Sequence, residues 1–374
     1  MGRTLLICFC VLAGRLGHTT PQYLVTKLGN LGPYNFNRTE ISCFTPRGRI
    51  IAARGFTQYL HEGGVLTDLK PRWNRELNTN IFANDRGQFC GTERTGPTRF
   101  KANIDAPWQW LHPIGDYAED VYANGMANDF IFGAQIVNPS NNFAEPWTYN
   151  TLTGQYRAFS TVPYGFPGGE IQDMNEQGDA LVVGSVDLFD LNYQSTNHAF
   201  IFRDGVKKAD LGKMVRGVMN SKGQVVGEIS TPFDDFYFKF WDGTTMNQIP
   251  FEGLGEYWTP QGLSDDATIL VSRFNSSNQF NALYKDGSYY RFEDVCPGLP
   301  AGMKIYGAKI RPDGAIAGVG VLGNQTYLMR FDPVPEPASL IALGAGILGL
   351  AWRRRAQAIS LTWVSRKPVV EWLA

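Results

Sequence analysis

The segments MNEQGDALVVGS (residues 174–185) and HAFIFRDGVKKADLG (residues 198–212) contain the pattern that predicts the fold. In each segment a polar turn with glycine separates two short runs that are rich in β-branched, aromatic or alternating residues. Asp204-Gly205 is a strong β-hairpin signal, because a type I′ turn needs positive φ at both central residues. Together the two segments predict four consecutive antiparallel strands.

The same pattern recurs along the chain. Asp242-Gly243 and Asp286-Gly287 occupy the place of Asp204-Gly205 in later units, so we predict type I′ turns there too. The turn between the first two strands of each unit recurs at spacings of 39 to 51 residues, at Gly48, Gly87, Ala127, Gly178, Gly223, Ala267 and Gly314. Seven four-stranded units predict an all-β fold, a seven-bladed β-propeller-like repeat domain. An open β-solenoid and a pair of β-sandwiches are the alternatives.

The two ends of the repeat array complement each other. Residues 309–333 supply three strands of the last unit, and no fourth strand follows them. At the start of the array, QYLVTKLGNLG (residues 22–32) resembles the fourth strand VKKADLG (residues 206–212). We therefore predict that the N-terminal strand completes the last blade, because closure protects both ends of the array.

The repeat units also resemble the HAF repeat of bacterial extracellular proteins. The resemblance rests on His198-Ala199-Phe200, on Asp210-Leu211-Gly212 and on the block from Asn220 to Gly227. It implies a propeller-like secreted protein and little about chemistry.

The N-terminal segment has the composition of a targeting sequence. Arg3 precedes an apolar run of about ten residues, Thr4 to Ala13, and a bilayer span needs about 20 residues. Residues 1–20 are therefore predicted to be a secretory signal peptide. An incorrectly assigned start is the alternative.

A second targeting pattern follows the array. Val334-Pro335-Glu336-Pro337 precedes an apolar segment, Ala338 to Trp352, and then Arg353-Arg354-Arg355. This order resembles the PEP-CTERM sorting signal, in which the apolar segment is a short transmembrane helix. The resemblance implies transient insertion in the inner membrane of a Gram-negative bacterium. The protease exosortase would recognise Pro335-Glu336-Pro337 and deliver the protein to the cell surface or extracellular matrix. A plain C-terminal membrane anchor is the alternative.

These features predict the domain organisation. The signal peptide is followed by the repeat domain (21–333), the sorting signal with its transmembrane helix (334–357) and a C-terminal extension (358–374). The extension departs from the sorting-signal pattern, which normally ends soon after the basic cluster.

Composition and motifs exclude several function classes. The formal net charge is −1, so no overall field attracts nucleic acid. We find no H-E-x-x-H motif, nucleophile elbow, P-loop or dinucleotide fingerprint. Cys43, Cys90 and Cys296 lack metal-site spacing and are expected to be buried free thiols, with at most one disulfide.

Two sets of side chains are candidate binding groups. Flat aromatic rings on loops stack on sugars or contact protein partners; the candidates are Trp108, Trp110, Tyr117, Trp147 and Tyr149. Packing in the sheet core is the alternative for them, because alternate residues share one strand face. Hard oxygen ligands on neighbouring loops favour Ca²⁺, for which the candidates are Asp187, Asp190, Asp234 and Asp235; solvated loop acids are the alternative.

The absence of a catalytic motif favours a non-enzymatic role. We therefore predict a surface-sorted interaction or matrix protein that needs no cofactor. Its partners are exosortase and either exopolysaccharide or envelope proteins. The alternative is an enzyme that acts on matrix polysaccharide, such as a glycosidase or lyase with distant paired carboxylates.

Overall fold

The structure is a computed structural model. It describes residues 20–34, 39–69, 81–92, 98–111, 121–138, 143–185, 197–230, 236–249, 258–273 and 280–335. The predicted signal peptide, apart from residue 20, lies outside the described residues, as do the predicted transmembrane helix and the C-terminal extension. Within the described part of the chain, no helix has the length and hydropathy of a membrane span.

The chain divides into two units. One comprises residues 22–332, and the other comprises residues 1–21 and 333–374. The larger unit contains seven four-stranded antiparallel sheets, each a blade of a β-propeller, as predicted.

The blades are numbered along the chain. Blade one contains β2 (Thr39–Phe44), β3 (Ile50–Arg54), β4 (Thr57–Glu62) and β5 (Val65–Asp68). Blade two contains β6 (Ile81–Ala83), β7 (Phe89–Thr92), β8 (Thr98–Lys101) and β9 (Gln109–Trp110). Blade three contains β10 (Val121–Ala127), β11 (Phe130–Asn138), β12 (Phe143–Asn150) and β13 (Tyr156–Ala158). A 3₁₀ turn (Val162–Tyr164) leads to blade four, with β14 (Gly168–Met174), β15 (Asp179–Ser185), β16 (His198–Arg203) and β17 (Val206–Lys213).

The remaining blades follow the same order. Blade five contains β18 (Arg216–Met219), β19 (Val225–Ser230), β20 (Phe236–Trp241) and β21 (Met246–Ile249). Blade six contains β22 (Trp258–Leu263), β23 (Ile269–Arg273), β24 (Phe280–Lys285) and β25 (Ser288–Arg291), after which α1 (Phe292–Val295) follows. Blade seven contains β26 (Lys304–Ile310), β27 (Ile316–Leu322), β28 (Gln325–Pro333) and, from the N-terminus, β1 (Tyr23–Pro33).

The ring closes through β1, which confirms the predicted role of the N-terminal strand. The order of blade seven is β1-β28-β27-β26, so the outermost strand comes from the start of the chain. The Lys27 amine lies 3.7 Å from the Tyr327 ring centre. β1 also reaches blade one, because the Tyr59 hydroxyl donates to the Leu31 carbonyl at 2.9 Å. The chain's beginning therefore joins its last blade to its first.

The hydrophobic core lies between blades. In the described residues, seven clusters of buried side chains each fill one interface between neighbouring blades. The cluster between blades seven and one includes Leu31, Ile41, Ile50 and Leu328, and Leu31 is only 2% exposed. Since a single four-stranded blade buries little alone, each blade depends on both neighbours.

The turns between the first and second strands lie on one face of the propeller, here called the turn face. In three of them an asparagine oxygen accepts the N–H groups two and four residues on; these are Asn84, Asn175 and Asn220. Glycine with positive φ follows at Gly48, Gly87, Gly178, Gly223 and Gly314, and Ala267 has the same left-handed conformation at φ 61°. Six of the seven predicted turn positions are thus confirmed.

Two turn predictions are wrong in detail. In blade three, Ala127 is the last strand residue and pairs with Phe130, so the turn is a tighter one at Asn128 (φ 45°) and Asp129. At Asp242-Gly243 only the glycine has positive φ. The Asp242 carboxylate accepts the N–H groups of Thr244 and Thr245 at 2.8 Å, which stabilises a longer turn. Asp204-Gly205 and Asp286-Gly287 have positive φ at both residues, as predicted.

Candidate functional site

The first strands of the seven blades surround a central channel. Each of these strands contacts the first strand of the next blade, and β26 contacts β2, so the ring is continuous. Near the turn face the channel widens to a cavity of about 250 Å³ that all seven strands line. Because these are the innermost strands, their free backbone edges face the channel and need partners.

β-Bulges interrupt the innermost strand in five blades. The bulged residues are Ser42, Asn124, Gln172, Gln261 and Gly307. A bulge leaves one residue outside the ladder and turns its side chain away from the regular alternation. Four of these residues, all except Gly307, have polar side chains that line the cavity.

In blades three and four the bulged side chains bind the next blade. The Asn124 amide donates to the Ile171 carbonyl at 2.9 Å. The Gln172 amide donates to the Val215 carbonyl at 3.1 Å, and its oxygen accepts the Gly217 N–H at 2.8 Å. These side chains thereby replace the neighbouring strand that a free sheet edge lacks.

Asp173 extends this arrangement. Its carboxylate accepts the N–H groups of Met174 at 2.8 Å and of Met219 at 2.7 Å, so it also binds the free edge of β18. Burial raises the pKa of the Asp173 carboxyl, while the two N–H donors and the charge of Lys309 act in the opposite direction. The carboxylate is therefore a structural hydrogen-bond acceptor whose ionisation is opposed by burial.

The other side of the cavity differs. Lys309 of blade seven is flanked by Ser42 of blade one and Gln261 of blade six, and all three line the cavity. Among the described residues, none of their side chains has a hydrogen-bond or ion-pair partner. Lys309 is the one lysine or arginine in this part of the described wall.

Acidic side chains surround the mouth of the channel. This acidic rim consists of Asp85, Glu176, Asp265 and Asp313. Asp85 accepts the Arg47 N–H at 3.0 Å, and Asp265 accepts the Ser221 N–H at 3.2 Å, so these two acids link neighbouring turns. Asp313 pairs with Arg311. Basic side chains lie on the same turns, since the Lys222 amine also donates to the Asp265 carbonyl at 2.6 Å.

The C-terminal end of the described chain follows β28. Val334 is 44% exposed, and Pro335 is the last residue described. Residues 333–355 match the PEP-CTERM protein-sorting motif. The match includes Glu336, Pro337, Arg353, Arg354 and Arg355, which lie outside the described residues. The PEP-CTERM motif is a substrate signal for exosortase and indicates a secreted, surface-sorted protein of a Gram-negative bacterium.

Two solved structures were compared with this chain for their similarity. An oligogalacturonate lyase in complex with manganese is similar with a TM-score of 0.52 and 11% identity, over 85% of this chain and 97% of that one. YCF48 from Cyanidioschyzon merolae is similar with a TM-score of 0.48 and 9% identity, over 82% of this chain and 98% of that one. The lyase similarity shows the fold alone. No curated protein sequence matches the chain.

The predicted aromatic residues have different surroundings. Trp147 is fully buried and stacks on Tyr156 with ring centres 5.3 Å apart, and Tyr149 packs against the same cluster. Trp108 packs against the cluster between blades one and two. Trp110 is 44% exposed, with the Arg99 guanidinium 3.9 Å from its ring centre. Tyr117 lies outside the described residues.

The calcium prediction falls on residues outside the described ranges. Asp187, Asp190, Asp234 and Asp235 lie outside the described residues. Within the described ranges, no group of three or more His, Cys, Asp or Glu side chains is arranged to hold a metal ion.

The three cysteines of the domain are free thiols. Burial raises the pKa of Cys43 to about 11, and the thiol donates to the Ala83 carbonyl at 3.1 Å. Burial also raises the pKa of Cys90, and that of Cys296 to about 12. These thiols are not activated nucleophiles, because a thiolate is needed for reaction.

His198 and Asp210, which belong to the repeat pattern of unit four, have a structural role. The His198 ring and the Asp210 carboxylate form a hydrogen bond between the third and fourth strands of blade four. His198 also stacks on Phe200, with ring centres 4.9 Å apart. Burial alone would raise the pKa of Asp210, but the hydrogen bonds from His198 and from the Gly212 N–H lower it.

Sequence reasoning missed the residues around the channel. Ser42, Gln261 and Lys309 occur in short strands without a catalytic or ligand-binding motif. Their common signal is a polar residue two or three positions before the first turn of a blade, and aligning the repeat units would have revealed it.

Proposed function

We propose that this protein is a non-enzymatic propeller that exosortase processes and that binds exopolysaccharide in the matrix at the cell surface. The observation that carries the proposal is the PEP-CTERM motif at residues 333–355, which follows directly from the last strand of a closed propeller. A sorting signal beside a complete domain suits a protein whose folded part works outside the cell.

Strand direction supports this role. β28 runs towards the turn face, so the sorting motif joins the propeller there, at residue 332. The opposite face, which carries the connections between blades, is the face farthest from this attachment point. We propose that it contacts the matrix.

Trp110 is the proposed contact with polysaccharide. Its strand β9 runs towards the face opposite the turns, and its ring is 44% exposed. A flat, exposed indole ring can stack on the apolar face of a sugar. The Arg99 guanidinium lies over the ring, 3.9 Å from its centre, and adds hydrogen-bond donors beside it.

Co-sedimentation of the full chain with extracellular polysaccharide from a PEP-CTERM-encoding bacterium tests the proposal. We expect binding without release of soluble oligosaccharides, and Trp110→Ala should weaken it about tenfold or more. Leu152→Ala is the matched control, because Leu152 is an exposed apolar side chain on another blade, at 57% exposure.

Each result has a defined meaning. Release of oligosaccharides would overturn the non-enzymatic role in favour of the polysaccharide-degrading alternative. The fold shared with a lyase is the reason to test for this activity. Absence of binding would remove polysaccharide as the partner. Equal effects of the two substitutions would remove Trp110 as the contact.

A further inference from the structure

The channel wall is chemically asymmetric. On the side of blades three and four, the polar side chains Asn124, Gln172 and Asp173 all bind the backbone of the next blade. On the side of blades six, seven and one, Gln261, Lys309 and Ser42 line the same cavity without a partner in the described part of the chain.

Lys309 points into the channel. Its charge opposes the burial-driven rise in the pKa of Asp173 on blade four and of Cys43 on blade one. Blade four lies across the ring from blade seven, and residues of both blades, Lys309 and Asp173 among them, line the same cavity. Lys309 and Asp173 form no ion pair in the described structure, and the lysine is half-buried.

Unpartnered polar groups in a partly buried site are costly. A lysine amine has three donors, and a buried polar atom without a partner loses the hydrogen bonds that water gave it. Ser42 is 8% exposed, and its hydroxyl has no hydrogen-bond partner. The Ser42 oxygen is enclosed by the protein, whereas Lys309 and Gln261 are half-buried, so a ligand in the cavity can reach these two side chains.

The charges select the kind of ligand. One lysine attracts an anionic group, and the Gln261 amide suits a hydroxyl group. Asp173, which lines the same cavity, opposes a second negative charge, because like charges repel strongly where water is partly excluded. The cavity of about 250 Å³ admits a single sugar-sized molecule.

We propose that the central channel binds one small hydroxylated monocarboxylate, with its carboxylate on Lys309 and a hydroxyl group on Gln261. The site is separate from the surface at Trp110, and the proposal does not depend on the matrix role.

Isothermal titration calorimetry of the full chain tests the site with four probes. D-glucuronate and D-galacturonate carry one carboxylate, D-glucose is their neutral counterpart, and glucose 6-phosphate carries about two charges. We expect at least one uronate to bind at least tenfold more tightly than glucose and glucose 6-phosphate.

Two matched variants locate the site. Lys309→Gln removes the charge while retaining a polar side chain, and we expect at least a tenfold loss of uronate affinity. Lys304→Gln changes an exposed lysine on the same strand and should leave the affinity unchanged. Thermal unfolding of both variants verifies that they are folded.

The proposal is overturned if neither uronate binds, if glucose or glucose 6-phosphate binds as tightly, or if folded Lys309→Gln retains the wild-type affinity. If Lys309→Gln does not fold, Gln261→Leu replaces it, and an unchanged uronate affinity in that variant would also overturn the proposal.

Discussion

At the scale of single residues, six turns on the turn face share one position with left-handed backbone conformation. Five turns place glycine at a position with positive φ, where a side chain is strained, and the sixth places Ala267 there at φ 61°. Ala267 donates its N–H to the Ser264 carbonyl at 3.1 Å, which is the same hydrogen bond that Gly178 makes to Asn175. Blade six therefore maintains the common turn despite an unfavourable residue.

We expect Ala267→Gly to stabilise the propeller by about 0.5–1 kcal/mol. Relief of left-handed strain is worth about 1–2 kcal/mol, and the greater freedom of glycine in the unfolded chain offsets about 0.4–1 kcal/mol of it. Urea denaturation measures the change in free energy of unfolding. The reverse substitution Gly178→Ala is the control and should destabilise, because alanine is strained at the positive φ of this position. A clash would not contribute, since a new Cβ there meets only ordinary contacts, at 3.9 Å or more. A loss of stability in Ala267→Gly would show that the strain argument is wrong.

At the scale of elements, the innermost strands are sheet edges that side chains complete. β14 binds the free edge of β18 through Gln172 and Asp173, which together accept the N–H groups of Gly217 and Met219. The bulge in β14 makes this geometry available, because it places adjacent residues outside the regular alternation.

Gln172→Leu should destabilise the protein by about 1–3 kcal/mol, because it leaves the Gly217 N–H without its acceptor. Gln261→Leu is the matched control: it occupies the equivalent bulge in blade six but has no hydrogen bond in the described structure. Its effect should remain within about 0.5 kcal/mol. Chemical denaturation of both variants makes the comparison, and equal losses would contradict the edge-binding role of Gln172.

At the scale of the whole molecule, β1 connects the two ends of the ring. It is the outermost strand of blade seven, and it contacts blade one through Leu31 and Pro33, whose carbonyls accept from Tyr59 and Arg54. β1 contributes Tyr23 to the core between blades six and seven, and Leu31 to the core between blades seven and one. Stability of the ring should therefore be cooperative.

Leu31→Ala should lower the free energy of unfolding by about 2–5 kcal/mol, because it leaves a cavity between blades seven and one. Leu24→Ala on the same strand is the control, and since Leu24 is 64% exposed, a change within about 0.5 kcal/mol is expected. Differential scanning calorimetry should show a single transition that moves as a whole in Leu31→Ala. A separate early transition would mean that β1 is dispensable for ring closure.

The sequence by itself determined the number of blades, most of their turns and the closing strand. These features depend on local chemistry: an Asn at the start of the turn bonds the backbone of its own segment, and Asp204-Gly205 supplies both positive φ angles of its hairpin turn. The sorting motif is also local, because a protease reads residues 333–355 as a linear segment.

Only the tertiary structure decided which polar side chains have partners. Gln172 and Gln261 occupy equivalent bulges, yet one binds the next blade and the other faces the channel. The difference depends on what the neighbouring blade presents, and the strands that line the cavity are far apart in the chain. Such contacts arise from closing seven blades around one axis, so no local pattern in the sequence encodes them.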